Sequence, residues 1–213
     1  MQLNLGQWVV IGVCGVLILG YILGYYSNRQ RAEQIYHWLK QGLSTLGEVS
    51  LGDKLPGMAT GGRLEVNQPA APLKRVEAVY LLAPRENLLF LIFHLLQGKG
   101  DELIVWVNYQ ARPEQSIEVA RRGDHQLEKR LSDKEKPTLS MQEGIRNLQV
   151  AVEEKPGILL ASKVRGFISK YPSSLIRLAL RPEKPHLYLR LNLRLMRRTS
   201  AAELFTALRD MAG

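Results

Sequence analysis

Residues 186–198 read HLYLRLNLRLMRR, with leucine at every odd position from Leu187 to Leu195. His186, Tyr188, Arg190, Asn192 and Arg194 fill the even positions. Side chains alternate between the two faces of a strand, so this stretch is expected to be a strand with a leucine face turned inward and a basic face turned out. The stretch before it, SLIRLALR at 174–181, has the same strand character, and PEKP at 182–185 is a turn. The two strands are expected to pair antiparallel.

Further strands are expected at 63–66, at 76–82 (VEAVYLL), at 103–109 (LIVWVNY) and at 116–120. Residues 144–153 are ambiguous, with a short apolar alternation at Leu148, Val150 and Val152. Between these strands lie helical patterns. ENLLFLIFHLLQ at 86–97 is apolar on nearly every side and too short to cross a bilayer, so it is expected to be a buried helix. His94 within it is expected to be a core or edge residue. Gly98 and Gly100 stop that helix. Residues 157–171 carry Leu160, Val164, Phe167 and Ile168 at helical spacing, and Pro172 ends the run. The charged segment 121–136 is expected to be an exposed helix. Thr199 or Ser200 can cap a last helix, AAELFTALRDM, with Glu203 three residues after Ser200 as a capping box. The fold class is α+β, a mostly antiparallel sheet with helices on one face.

Ahead of this domain, residues 1–28 contain no charge. Residues 5–26 are long and apolar enough to span a bilayer as helix, with Trp8 at one end and Tyr21, Tyr25 and Tyr26 at the other. No lysine or arginine precedes the run and no small-x-small site follows it, which favours a retained span over a cleaved signal. Arg29 and Arg31 come directly after it, so the N-terminus is expected outside and the domain in the cytosol. Gly20-x-x-x-Gly24 is a candidate for packing against another helix. Cys14, the only cysteine, reads as an apolar filler. Residues 29–46 repeat Ile35, Trp38, Leu39, Leu43 and Leu46 at helical spacing. This helix is expected to lay its apolar side on the domain rather than on the membrane. The expected organisation is an anchor at 1–28, a juxtamembrane helix and glycine-rich turn region at 29–62, and a cytosolic domain at 63–213.

The 213 residues carry 29 Lys and Arg against 20 Asp and Glu, a formal net charge of +9. Such a balance favours an acidic partner surface, whether anionic lipid, RNA or protein. The candidate phosphate- or partner-binding residues are Arg121, Arg122, Arg177, Arg181, Arg190, Arg194, Arg197 and Arg198. On paired strands several of these would form one positive sheet face. Backbone contact with structured RNA or contact with lipid headgroups fits them better than base reading, and DNA is not expected. There is no GxSxG, Walker A or GxGxxG pattern, and the four histidines lack metal-ligand spacing. No catalytic residue, metal or cofactor is expected.

The span followed by NRQRAEQIYHWLKQGLSTLGEVSLGD at 28–53 resembles the membrane-proximal segment of the calumin family, coiled-coil-domain-containing proteins of the endoplasmic-reticulum membrane. The order of strand, leucine-rich helix, strand and strand across 76–120 is similar to that family, and so is LYLRLNLRL at 187–195 before a terminal helix. The resemblance covers most of the chain and rests on pattern. It implies a non-enzymatic accessory of the multipass translocon, with a cytosolic domain near the ribosome and a membrane-embedded partner. Calcium binding, which the family places in an acidic segment ahead of the span, is not implied here. The competing expectations are a structural or assembly subunit of another membrane complex, and a membrane-bound enzyme acting on lipids.

Overall fold

The computed structural model describes residues 4–52, 61–114, 116–124, 127, 139–142, 147–153 and 158–211. Its first element is a single helix, α1 (Leu5–Leu43). At about 1.5 Å per residue it is about 58 Å long. Its first two-thirds and its last third live in different surroundings. Through Leu23 the side chains are exposed or nearly so, whereas Ile35, Leu39 and Leu43 are fully buried. The expected junction between anchor and juxtamembrane helix at 28/29 therefore falls inside one continuous helix. Residues 25–41 contain neither proline nor glycine and are rich in helix formers, so nothing breaks it there. The helix is long and apolar enough near the N-terminus to cross a membrane.

Among the described residues, nine strands form one antiparallel sheet: β1 (Glu48–Leu51), β2 (Gly61–Asn67), β3 (Leu73–Leu81), β4 (Glu102–Tyr109), β5 (Ile117–Arg121), β6 (Leu139–Gln142), β7 (Leu148–Glu153), β8 (Leu175–Leu180) and β9 (Leu187–Asn192). Their order across the sheet is β1-β2-β3-β4-β9-β8-β5-β7-β6. The opening stretch thus supplies a central strand. Leu187, Leu189 and Leu191 face Val107, Val105 and Leu103 on one side and Leu180, Leu178 and Leu175 on the other. All nine of these side chains are buried on the same face. The strand ends earlier than its leucine period does. After Asn192 the neighbour β4 runs out, the Asn192 side chain accepts from the Arg194 N–H, and Leu193–Arg197 wind into a 3-10 turn. Leu193 and Leu195 stay buried, so the burial pattern outlasts the strand.

Three helical segments fill this inner face: the last third of α1, α3 (Ile158–Lys170) and α4 (Ala201–Asp210). The juxtamembrane residues are therefore part of the domain core rather than a linker, and β1 belongs to the sheet. Ser200 caps α4 by accepting from the Glu203 N–H. The Glu203 carboxylate does not close the box; it pairs with Lys170 at 2.6 Å and ties α4 to α3. The segment 121–136, expected as an exposed helix, lies largely outside the described residues. Leu127, which is described, is buried with Ala120 and Ala151 on the opposite face of the sheet.

At Gly42, α1 crosses α4 so closely that a Cβ would overlap the Cβ of Ala201 and sit 2.7 Å from Phe205. Gly42→Leu is expected to destabilise the domain by about 3 kcal/mol, because neither helix can retreat from the sheet. The thermal midpoint of the detergent-solubilised full chain reads this directly. His186, buried at the start of β9, accepts a hydrogen bond from the Tyr109 N–H at Nδ1, 3.0 Å away. Burial first, then the charge of Lys184, holds its pKa below the ordinary 6.5. The folded state therefore resists protonation more than the unfolded chain does. Its contribution is complete above pH 6.5 and is lost as the pH falls below that value. Denaturant titrations across this range are expected to show a slope that His186→Asn reduces.

Candidate functional site

The run expected as a buried helix forms α2 (Leu88–Leu96), but none of its residues is buried. Leu89, Phe90, Ile92, Phe93, Leu95 and Leu96 are all more than half exposed, Leu96 by 82%. His94 is accordingly not a core residue. The inner face of the sheet is filled by α1, α3 and α4, and α2 is not among the elements packed on it. Instead α2 stands out beside α1. The first residue, Leu88, lies against Gly20, and the backbone of Arg85 lies against Gly24. A Cβ at Gly24 would overlap the Arg85 carbonyl oxygen. The two glycines thus act as a docking surface within the chain, for residues 85–88.

A polar cluster fastens the base of this excursion to α1. Asn28, 3% exposed, donates from Nδ2 to the Ala83 carbonyl at 3.1 Å and to the Glu86 carboxylate. Its Oδ1 accepts from Arg85 at 2.8 Å. Asp101, where the chain returns to the sheet, accepts from the Ala83 N–H at 3.0 Å and from Arg85 at 2.9 Å, and Arg31 of α1 reaches it at 3.3 Å. Burial opposes the charge on Asp101, yet the hydrogen bonds from Arg85, Ala83 and Arg31 and the charge of Arg85 outweigh it and hold the carboxyl below its ordinary range. Asn28 and Asp101 together join α1, the start of the excursion and its end.

Between α1 and α2 lies a groove of about 740 Å³ with two unlike ends. Leu23, Leu88, Leu91 and Leu95 line the apolar part. Arg31, Arg85, Lys99, Arg194 and Arg197 line the polar part, beside Asp101. The 3-10 turn brings Arg194 and Arg197 there, because the Leu193 N–H donates to the Asp101 carbonyl at 2.9 Å. Arg31 and Arg85 share the charge of Asp101. Lys99, Arg194 and Arg197 are exposed, and no carboxylate among the described residues pairs with them. The groove is therefore amphipathic, with a net positive end.

The remaining arginines are placed differently. The expected positive sheet face does not form, because its arginines meet carboxylates. Arg177 and Arg181 both bind Glu118, at 3.0 and 2.8 Å, and Arg177 also reaches Asp124 at 3.6 Å. Arg190 pairs with Glu102 at 2.7 Å on the neighbouring strand. On β2 and β3, Glu65 and Glu77 stand opposite each other and are bridged by Arg63 and Arg75. Arg121 donates to the carbonyls of Leu175 and Ser173. Arg122 and Arg198 are exposed and lie outside the groove lining. Tyr188 packs on Trp106 with ring centroids 6.3 Å apart, on a face whose nearby cations Arg75 and Arg190 are neutralised.

Of the eight arginines read as candidates, the structure brings Arg194 and Arg197 into the groove and ties Arg121, Arg177, Arg181 and Arg190 into the domain. Arg31, Arg85 and Lys99 were missed as site residues. The available signal was cations at both edges of an apolar run with no polar side. Among the described residues, no group of three or more His, Cys, Asp or Glu is arranged to hold a metal ion. No family model matches the chain, and no curated protein matches it in sequence.

Proposed function

We propose that this chain is a non-enzymatic, single-pass membrane protein whose domain lies on the cytosolic side and binds a membrane-protein partner, as an accessory of membrane-protein insertion or folding near a translocon. The observation that carries this reading is the amphipathic groove at the foot of α1, built from the apolar helix and the sheet domain together. A hydrophobic segment leaving the bilayer meets leucines and then cations in such a groove, which is the order of its own apolar core and acidic or phosphate-bearing surroundings. The uncharged run through Asn28, followed by Arg29 and Arg31, supports the cytosolic orientation. Continuity of α1 supports a receptor held at fixed height, because a helix without a break transmits no hinge motion between span and core.

Crosslinking mass spectrometry in native membranes tests this reading. Links from Lys99 or its neighbours to ribosomal or translocase components are the expected result. Recovery of one stable partner unrelated to insertion would replace it with the structural-subunit reading.

A further inference from the structure

We infer that α2 is a second membrane-embedded element: a short helix immersed in the leaflet from which α1 emerges, with Lys99, Arg194 and Arg197 set against the phosphates of anionic lipids there. This rests on reading α1 as a bilayer span and adds a second point of contact with the same membrane.

Leu88 touches Gly20, and the first charged residue of α1 is Arg29. Nine residues of helix separate them, about 13 Å along the axis. If α1 crosses the bilayer, α2 begins below the level of Arg29, and the charges nearest to it, Arg85 and Glu86, are held by Asp101 and Asn28. Its own nine residues also extend about 13 Å, less than half the hydrocarbon thickness, so it occupies one leaflet and does not cross.

A helix that docks on a soluble protein shows one apolar stripe and a polar back. Here large apolar side chains are exposed around the helix, from Leu89 and Phe90 to Leu95 and Leu96. That pattern suits a core or hydrocarbon, and the domain core does not contain it. The surface is continuous with the exposed apolar residues of α1.

Hydrocarbon offers no water to unpaired amides and carbonyls, so a helix placed in it must close its own ends. The Asn87 side chain caps α2 by accepting from the Phe90 N–H. At the other end the N–H groups of Gly98 and Lys99 return to the carbonyls of Leu95 and His94, with Gly98 in the left-handed region at φ 67°. Just past this cap come the cations. Each lysine or arginine held near an anionic bilayer surface favours binding by roughly fivefold.

The test uses the full chain in vesicles of phosphatidylcholine and phosphatidylglycerol. Cys14→Ser removes the only cysteine, and single spin labels then go on Leu17→Cys, Phe93→Cys, Leu96→Cys and Ser44→Cys. Labels at 17, 93 and 96 are expected to be more accessible to oxygen than to a water-soluble nickel complex, and the label at 44 the reverse. Lipid exposure at 17 with water exposure at 93 and 96 overturns the inference and leaves the span reading standing. Water exposure at all four positions overturns both. Shielding from both reagents at 93 and 96 means a protein covers α2, and this also overturns the inference. In the same vesicles the chain is expected to immobilise spin-labelled phosphatidylglycerol in preference to phosphatidylcholine. Arg194→Gln combined with Arg197→Gln should cut that preference by up to roughly fivefold per arginine. An absent preference, or one the double variant leaves intact, overturns the assignment of the cationic corner.

Discussion

Glu118→Ala is expected to destabilise the domain by about 4 kcal/mol, enough to unfold much of a marginal population. The Glu118 side chain is 1% exposed and lies on β5, an inner strand flanked by β8 and β7. It is bound by two guanidinium groups, and that of Arg177 is itself 7% exposed. Removing the carboxylate leaves the buried Arg177 with its longer pair to Asp124 at 3.6 Å, and this poorly compensated charge, rather than the lost pair, makes up most of the cost. Glu118→Gln keeps the shape and part of the hydrogen bonding, so it should cost less than alanine. A chemical unfolding series of wild type, Gln and Ala checks the order. Equal midpoints for all three would mean that the arginines find other partners.

Asp101→Ala is the second large effect, and its consequence is local as well as global. The carboxylate holds the Ala83 N–H, Arg85 and Arg31 at one point, so its loss frees the return of the α2 excursion from α1. Both arginines are about one-quarter exposed and recover part of their hydration, which limits the cost to about 2–3 kcal/mol. Hydrogen exchange is expected to rise at residues 83–101 well before the rest of the sheet opens. The pH dependence has a fixed sign. Because the folded carboxyl ionises below the ordinary 3.8, its contribution is present above that value and is lost as the pH falls through the folded pKa. Asp101→Asn should remove this acid-side loss. Uniform exchange across the sheet in the variant would show that the cluster supports the whole domain and not the excursion alone.

These two carboxylates also mark where sequence reading stops. The leucine period at Leu187, Leu189 and Leu191 identifies an inner strand face without any structure, because a half-buried strand has no other way to alternate. The helical spacing of Ile35, Leu39 and Leu43 likewise points to a packed face, and the structure buries it. Strand 103–109, the hairpin of β8 with β9, and the capped last helix follow from similarly local rules. The arginines were harder. Arg177, Arg181 and Arg190 look like a basic row because their charges are written in the chain, whereas the carboxylates that neutralise them, Glu118 for the first two and Glu102 for the third, are 59, 63 and 88 residues away in sequence. No local pattern pairs residues at that separation.

The apolar run at 86–97 shows the same limit. Its composition alone demands an apolar surrounding, and that much the sequence determined. It also determined a long apolar helix at the front, an α+β domain behind it and the excess of cations. Which apolar surrounding α2 enters was a tertiary decision. The last third of α1, α3 and α4 fill the inner sheet face, Gly20 and Gly24 admit residues 85–88 against α1, and Asn28 and Asp101 fix the excursion at its base. The physical reason is that burial is a competition for a limited surface. Periodicity tells which side chains must leave water, and only the packed chain decides which of them the protein can cover itself.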